Sequence, residues 1–295
     1  MPKSVFTAKF APEQEEQLRS ILEQDEFELK PVDHAFWQAQ RERVFITFYR
    51  SGKVVIRGKN IEEAIEKYLA PLKSDSAIHG LEAIENLTKW TGTDESGKGD
   101  IFGPLVVAAV FVDKNSEHFL WQKGIQDSKK IDDRKIREFA SFIRKHFKHS
   151  VITLMPAKYN ELYSNFKNLN KLLAYGHALA IEHLLEKVEC PVVLSDQFGD
   201  ESLIREALSS KHKIHLVQKV RAEENLAVAA ASILARDKFL GALEKMAIKY
   251  QMSFPVGASQ QAQIVLEKFI TRHGKKELKN VSKLHFKPIK NLLDD

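Results

Sequence analysis

Two strand-like stretches, Lys89 to Asp94 and Leu105 to Val112, flank the segment Glu95-Ser96-Gly97-Lys98-Gly99-Asp100. The second stretch, Leu-Val-Val-Ala-Ala-Val-Phe-Val, is short, β-branched and apolar throughout, which is the pattern of a strand buried on both faces. The pair therefore reads as two strands joined at a hairpin-like edge by a glycine-rich turn. The first strand delivers two adjacent carboxylates, Asp94 and Glu95, at its C-terminal end. Carboxylates hold hard divalent cations, and backbone without side chains can approach a phosphate or sugar closely. A nucleotide-binding P-loop fits the spacing Gly92, Gly97, Lys98 but fails at Gly99, where a magnesium-binding hydroxyl is required, and a strand follows where a helix should. On these residues alone, an ordinary acidic turn whose acids bond local backbone remains the alternative.

The 295 residues suffice for two modest domains, and a 43% hydrophobic content supports a core. One cysteine, Cys190, excludes an internal disulfide framework and a cysteine-rich zinc site, which suits a reducing, cytoplasmic setting. Met1-Pro2-Lys3-Ser4 lacks the apolar run of a signal peptide, and no stretch approaches the ~20 apolar residues of a membrane span. A net charge of +5 permits a polyanionic partner without requiring one. Cations crowd the C-terminal stretch at Arg272, Lys275, Lys276, Lys279, Lys283, Lys287 and Lys290, which suits either a polyanionic partner or a solvated helix face and tail.

The first 72 residues read as strand, helix, hairpin, helix. Val5 to Phe10 alternates, Pro12 to Gln24 is an acidic helix, Phe36 to Arg50 is strand-like, and Ser51-Gly52 turns the chain into Val54 to Lys59. Asn60 can cap a helix from Ile61 to Leu69. Within the hairpin, Val44, Ile46, Phe48, Val54 and Ile56 share one face, suited to packing under the helices. Phe45, Thr47, Tyr49, Val55, Arg57 and Lys59 take the other. That face mixes aromatics with cations, as nucleic-acid binders do, with burial under another domain as the alternative. Residues 73–82 are a polar linker, and 83–295 form the second domain.

In the second domain further strands are expected at Val151 to Met155, Pro191 to Ser195 and Ile214 to Val220. Helices are expected at Lys130 to His146, Asn170 to Val188, Glu224 to Tyr250 and Ala258 to Arg272, the first capped by Asp127-Ser128. Strands followed by helix–strand alternation give an α/β layered fold with a mixed sheet. Asp196 ends its strand as Asp94 does, and Glu223 or Glu224 can add a further acid. An acid there is also an ordinary choice for a helix start. Four carboxylates around Gly97-Lys98-Gly99 would repel one another unless cations sat among them. Two magnesium ions about 3.5–4 Å apart can serve in-line displacement at a phosphodiester.

Five ordered blocks extend the argument: Asp94 to Asp100, Gln126-Asp127-Ser128-Lys129-Lys130, Asn168-Leu169-Asn170-Lys171, Ser195-Asp196-Gln197-Phe198 and Ala229 to Arg236. Together they resemble the signatures of type 2 ribonucleases H. The Gly-Lys-Gly turn is similar to that of the ribonuclease HIII branch, as is a β-α-β-β-β-α N-terminal unit like that branch's TATA-box-binding-protein-like domain. The resemblance implies an RNase H-like catalytic fold preceded by a small α+β domain. It implies an endonuclease that cuts the RNA strand of RNA/DNA hybrids and leaves 3′-hydroxyl and 5′-phosphate ends. It maps Asp94, Glu95 and Asp196 onto ligands for two Mg2+ or Mn2+ ions, and Glu223, with Glu224 as alternative, onto the fourth acid. Gly97, Lys98 and Gly99 would meet the substrate at a 2′-hydroxyl and the scissile phosphate, and Phe45, Tyr49, Arg57 and Lys59 would contact it from the N-terminal domain. Lys283 and His285 are weaker candidates for phosphate contacts. The expected partner is nucleic acid, with no membrane and no obligate protein partner, so a cytoplasmic monomer. Other readings of the carboxylates and basic face are a metal-dependent DNA nuclease and a non-catalytic nucleic-acid-binding protein.

Overall fold

The computed structural model describes residues 5–10, 14–59, 61–69, 72, 88–125, 131–209, 214–219 and 222–294. The expected linker, Asn60, the block Gln126 to Lys130 and the expected cap Asp127-Ser128 lie outside these residues. The chain divides into two compact units. One is Met1–Glu82 with Asn115–Ile125, the other Ala83–Lys114 with Gln126–Asp295. The expected single domain over 83–295 is thus interrupted. The helix α3 (Lys114–Lys123), unread in the sequence, carries Trp121, whose ring meets Phe6 at 5.3 Å and Phe10 at 6.3 Å, both edge-on. A large aromatic buried in this way holds its segment to the unit that covers it.

The first unit is a five-stranded antiparallel sheet in the order β1 (Val5–Lys9), β5 (Lys53–Gly58), β4 (Val44–Tyr49), β3 (Ala35–Arg41), β2 (Glu28–Lys30). It also contains α1 (Glu15–Gln24) and α2, which begins at Ile61–Ala64 and continues as a π-helical turn over Ile65–Leu69. The unit has two strands more than its residues suggested: β2 (Glu28–Lys30) was not expected. Phe36 to Arg50 is two strands, broken where Glu42 adopts a φ of +51°. The face assignment agrees with the expectation for Ile46, Phe48, Val54 and Ile56, all fully buried. Trp37 pairs with Phe48 and donates its ring N–H to Glu15 of α1, which puts the helix on that face. On the opposite face Thr47 and Val55 are buried, Phe45 and Tyr49 half-buried, and Arg57 and Lys59 exposed.

The second unit is a mixed sheet in the order β10 (His215–Lys219), β9 (Val192–Asp196), β6 (Lys89–Ser96), β7 (Leu105–Asp113), β8 (His149–Leu154). β6 runs antiparallel to β7 and parallel to β9. β7 is buried over most of its length because a helix lies on each face. On one side Leu105, Val107 and Ala109 pack against Leu172, Leu173, Ala180 and Leu184 of α6 (Leu169–Leu185), reached after α4 (Asp133–His146) and α5 (Pro156–Phe166). On the other side lies α8 (Leu226–Tyr250), which follows the short α7 (Glu201–Ala207). A Cβ on Gly92 of β6 would stand 2.2 Å from the backbone of Ala227 and Val228, so this helix–strand approach requires glycine there. The alanine run at the start of α8 supplies the matching small surface. Helices α9 (Gln260–His273) and α10 (Lys287–Asp294) complete the described chain.

The starts of α4, α6 and α8 differ from expectation for local reasons. α4 is capped by Asp132, whose carboxylate accepts from Lys135 N at 3.0 Å. α6 is capped by Asn168. Glu224 does not open α8: Ala222–Glu224 is a separate 3-10 turn, and the cap is the buried Asn225. Asn225 Oδ1 accepts from Ala227 N at 3.0 Å and from Trp90 Nε1 at 3.1 Å, tying the helix start to β6. Such a cap contributes about 1 kcal/mol.

Candidate active site

Asp94 and Asp196 reach the same end of the sheet on neighbouring parallel strands. The register pairs Thr93 with Ser195, so the two aspartates follow side by side on one face. Loops beyond the carboxyl ends of parallel strands are where α/β sites form. Asp94 faces α8, where Ser232 hydrogen-bonds it, and its Oδ1 accepts from Glu95 N at 2.8 Å. Burial, then the charges of Glu95 and Asp196, push its carboxyl well above the ordinary carboxylate range.

Adjacent strand residues point to opposite faces, so Glu95 leaves toward α6. His177 Nε2 stands 3.1 Å from Glu95 Oε2, and Lys98 Nζ 3.6 Å from Oε1. Burial pulls Glu95 upward, but the hydrogen bond and charge of His177, with Lys98 behind them, outweigh it and hold the carboxyl below its ordinary value. His177 is fully buried, with Thr93 Oγ1 at 3.0 Å from its Nδ1, and is stacked on Phe198 at 4.9 Å. Lys98 Nζ lies 5.6 Å from the centre of the same Phe198 ring.

Glu223 and Glu224 follow Ala222, whose N–H donates to Asp196 Oδ1 at 3.1 Å. The turn that carries both glutamates is therefore tied to Asp196. Glu223 is half-buried there and Glu224 is exposed. The structure brings Asp94, Asp196 and this turn together and turns Glu95 aside toward His177. Among the described residues, no three His, Cys, Asp or Glu side chains are gathered closely enough to hold an ion. The donor chemistry nevertheless fits one: the acids offer only oxygen, and the mutual repulsion that raises Asp94 is what a divalent cation would relieve.

The two glycines of the turn differ. Gly97 is buried at a φ of +93°, and a Cβ there would stand 2.2 Å from Pro104 O and 3.0 Å from the Phe239 ring. Gly99 is exposed and a Cβ would meet nothing within 4 Å, so internal packing does not explain the missing side chain. Asp100 accepts from Gly257 N at 2.5 Å, while Ile101 N donates to Gly257 O at 3.2 Å.

Of the C-terminal cations, Arg272, Lys275, Lys276, Lys279, Lys287 and Lys290 are exposed, as a solvated face and tail requires, and the exception is Lys283. It is fully buried, and its Nζ donates to the carbonyls of Asp100 at 2.9 Å, Gly103 at 2.8 Å and Phe102 at 3.4 Å. It is a clamp on the far end of the glycine turn, with no free face for a phosphate. Burial pulls its ammonium down to about 7. His285 is also structural: it stacks on Tyr163 at 4.4 Å, and Tyr159 Oη lies 3.4 Å from its Nδ1. Desolvation, then Lys283 and Lys290, lower it to about 4. The residues that the sequence reading missed are His177 and Thr93. A histidine inside an apolar helix stripe looks like core, and only the register of β6 against α6 reveals its partners.

A mixed sheet of this order, helix-covered on both faces with acids at its parallel strand ends, defines a ribonuclease H-like protein. Known proteins agree. The family model described as Ribonuclease HII matches residues 91–289, and a domain of unknown function (DUF3378) matches residues 5–79. The chain is 40% identical to ribonuclease HIII of Protochlamydia amoebophila, covering 94% of this chain and 93% of the relative. It is also 40% identical to ribonuclease HIII of Chlamydia pneumoniae, covering 96% of each. The crystal structure of Bst-RNase HIII in complex with Mn2+ superposes with a TM-score of 0.69 at 28% identity, over 99% of this chain and 98% of that one. The chain belongs to the type 2 ribonuclease H family, in its ribonuclease HIII branch.

Proposed function

We propose that this chain is an endoribonuclease that hydrolyses the RNA strand of RNA/DNA hybrids and leaves 3′-hydroxyl and 5′-phosphate ends. The observation that carries the reading is that Asp94 and Asp196 each follow directly on the paired Thr93 and Ser195 at adjacent parallel strand ends, beside the turn Gly97-Lys98-Gly99. Asp94, Glu95 and Asp196 would hold two divalent ions, Mg2+ or Mn2+, with Glu223 as the fourth acid. Its half-buried place beside the Asp196-bound Ala222 supports it over the exposed Glu224. Such ions, when bound, activate the attacking water and stabilise the leaving oxygen.

The chain's own groups do the rest. Gly99 offers open backbone to a 2′-hydroxyl, the group that distinguishes RNA from DNA. Lys98, half-exposed beside Glu95, can neutralise the phosphate that enters. On the N-terminal sheet, Phe45 and Tyr49 offer ring surface, and Arg57 and Lys59 offer exposed charge to the same hybrid. No helix among the described residues is long and apolar enough to cross a membrane. The protein would act in the cytoplasm as a monomer.

The test is cleavage of matched RNA/DNA, RNA/RNA and DNA/DNA duplexes with and without Mg2+ or Mn2+. Metal-dependent cutting confined to the RNA strand of the hybrid is expected. Equal cutting of the DNA duplex would replace this reading with a DNA nuclease, and absence of turnover on every substrate with a binding protein.

A further inference from the structure

Thr93, His177 and Glu95 form a hydrogen-bonded chain. Thr93 Oγ1 donates to the carbonyl of Ala108 at 2.8 Å and stands 3.0 Å from His177 Nδ1. On the other edge of the ring, Nε2 stands 3.1 Å from Glu95 Oε2. His177 thus has a polar partner at each edge while Phe198 stacks on its face, and its ring is fully buried. An ordinary core histidine needs neither condition; a leucine or methionine would fill the α6 stripe as well.

The consequence falls on Glu95. One carboxylate oxygen, Oε2, is taken by His177. The other, Oε1, is directed to the side where positive charge already stands, the Lys98 ammonium at 3.6 Å. We propose that His177, anchored by Thr93, is a positioning residue that fixes the Glu95 carboxylate so that Oε1 is presented to a divalent cation. This rests on the reading of Glu95 as a metal ligand. Groups that orient ligands from behind in this way typically change metal affinity by about 10–100-fold when removed.

Calorimetric titration of the full chain with Mn2+, without nucleic acid, tests it. Glu95→Gln is the reference and should bind Mn2+ more weakly than the unmodified protein. His177→Leu should weaken Mn2+ by about 10–100-fold. His177→Gln, which keeps a donor toward Glu95, should recover most of that loss. Cleavage by His177→Leu should need more metal for half-maximal rate yet approach the unmodified kcat at saturation. A residue that merely packs would change thermal stability and leave this split untouched. If His177→Leu does not fold, Thr93→Val poses the same question: the ring stays, its anchor goes, and Mn2+ affinity falls in the same direction by less. Unmodified Mn2+ affinity in the His177 and Thr93 variants, with Glu95→Gln weakened, overturns the positioning role. Unmodified affinity in Glu95→Gln itself overturns the ligand reading beneath it.

Discussion

The mixed sheet β10-β9-β6-β7-β8 and the antiparallel sheet β1-β5-β4-β3-β2 both have five strands, yet they hold their candidate functional residues differently. In the mixed sheet those residues stand at strand ends, and neighbours far away in sequence fix them. Ser232 holds Asp94, His177 holds Glu95, Ala222 N–H holds Asp196, and Lys283 and Gly257 hold the glycine turn. In the antiparallel sheet the candidates lie on a face, with Arg57 and Lys59 exposed and Phe45 and Tyr49 half-buried. The contrast matches what each task demands. Bond cleavage depends on groups held to within a fraction of an ångström, whereas phosphate neutralisation works through charge that solvent can still reach.

The largest stability effect is expected from Trp121→Ala, which removes the ring packed on Phe6 and Phe10. A loss of about 3–5 kcal/mol is typical of such a truncation. Hydrogen exchange should show it in residues 5–69 and leave β6, β7 and β9 protected. Equal loss in both sheets would deny that Asn115–Ile125 belongs with the first unit. The same packing cautions against testing the N-terminal unit by deleting residues 1–72, since that strips the cover from Trp121.

Gly97→Ala comes next, because the left-handed φ alone costs roughly 1–3 kcal/mol and the new Cβ meets Pro104 O. Gly99→Ala should leave the melting temperature unchanged and lower cleavage of hybrids. If the two variants behave alike, the division between an internally required glycine and a substrate-facing one fails.

Lys283 gives a pH-dependent difference. Its side chain keeps its proton up to about 10.5 in the unfolded chain and only to about 7 in the fold. Between those values the folded protein binds one proton fewer, so this group makes stability rise as pH climbs from 7 toward 10.5, by no more than about 1.4 kcal/mol per pH unit. Lys283→Met should lack that rise in urea titrations across the range; an unchanged rise would assign it elsewhere.

The smallest effect is expected on the exposed face. Arg57→Glu with Lys59→Glu should weaken hybrid binding and flatten its salt dependence, by about one unit of slope for each phosphate no longer neutralised, with kcat little changed. An unaltered slope would remove that face from the substrate path.

What the sequence made legible follows the same divide. The strands of the mixed sheet were readable because Leu105 to Val112 is apolar on every residue, Asp196 because it ends the apolar run Pro191 to Ser195, and Asp94 because two adjacent acids abut a glycine-rich turn. The partners that fix them were not. His177 hides in an apolar stripe, Lys283 hides among lysines, and Trp121 depends on phenylalanines more than a hundred residues earlier. Long-range partners leave no local periodicity. The broken strand at Glu42 was equally hidden, since a positive φ on a glutamate carries no compositional sign.

Asp94→Asn tests the central claim most directly, in a paired measurement of hybrid binding and single-turnover cleavage at saturating Mn2+. The account predicts hybrid affinity within about twofold of the unmodified protein and cleavage lost by at least about a thousandfold, or about 4 kcal/mol of barrier. Cleavage retained at the unmodified rate would place the chemistry away from the strand ends and contradict it.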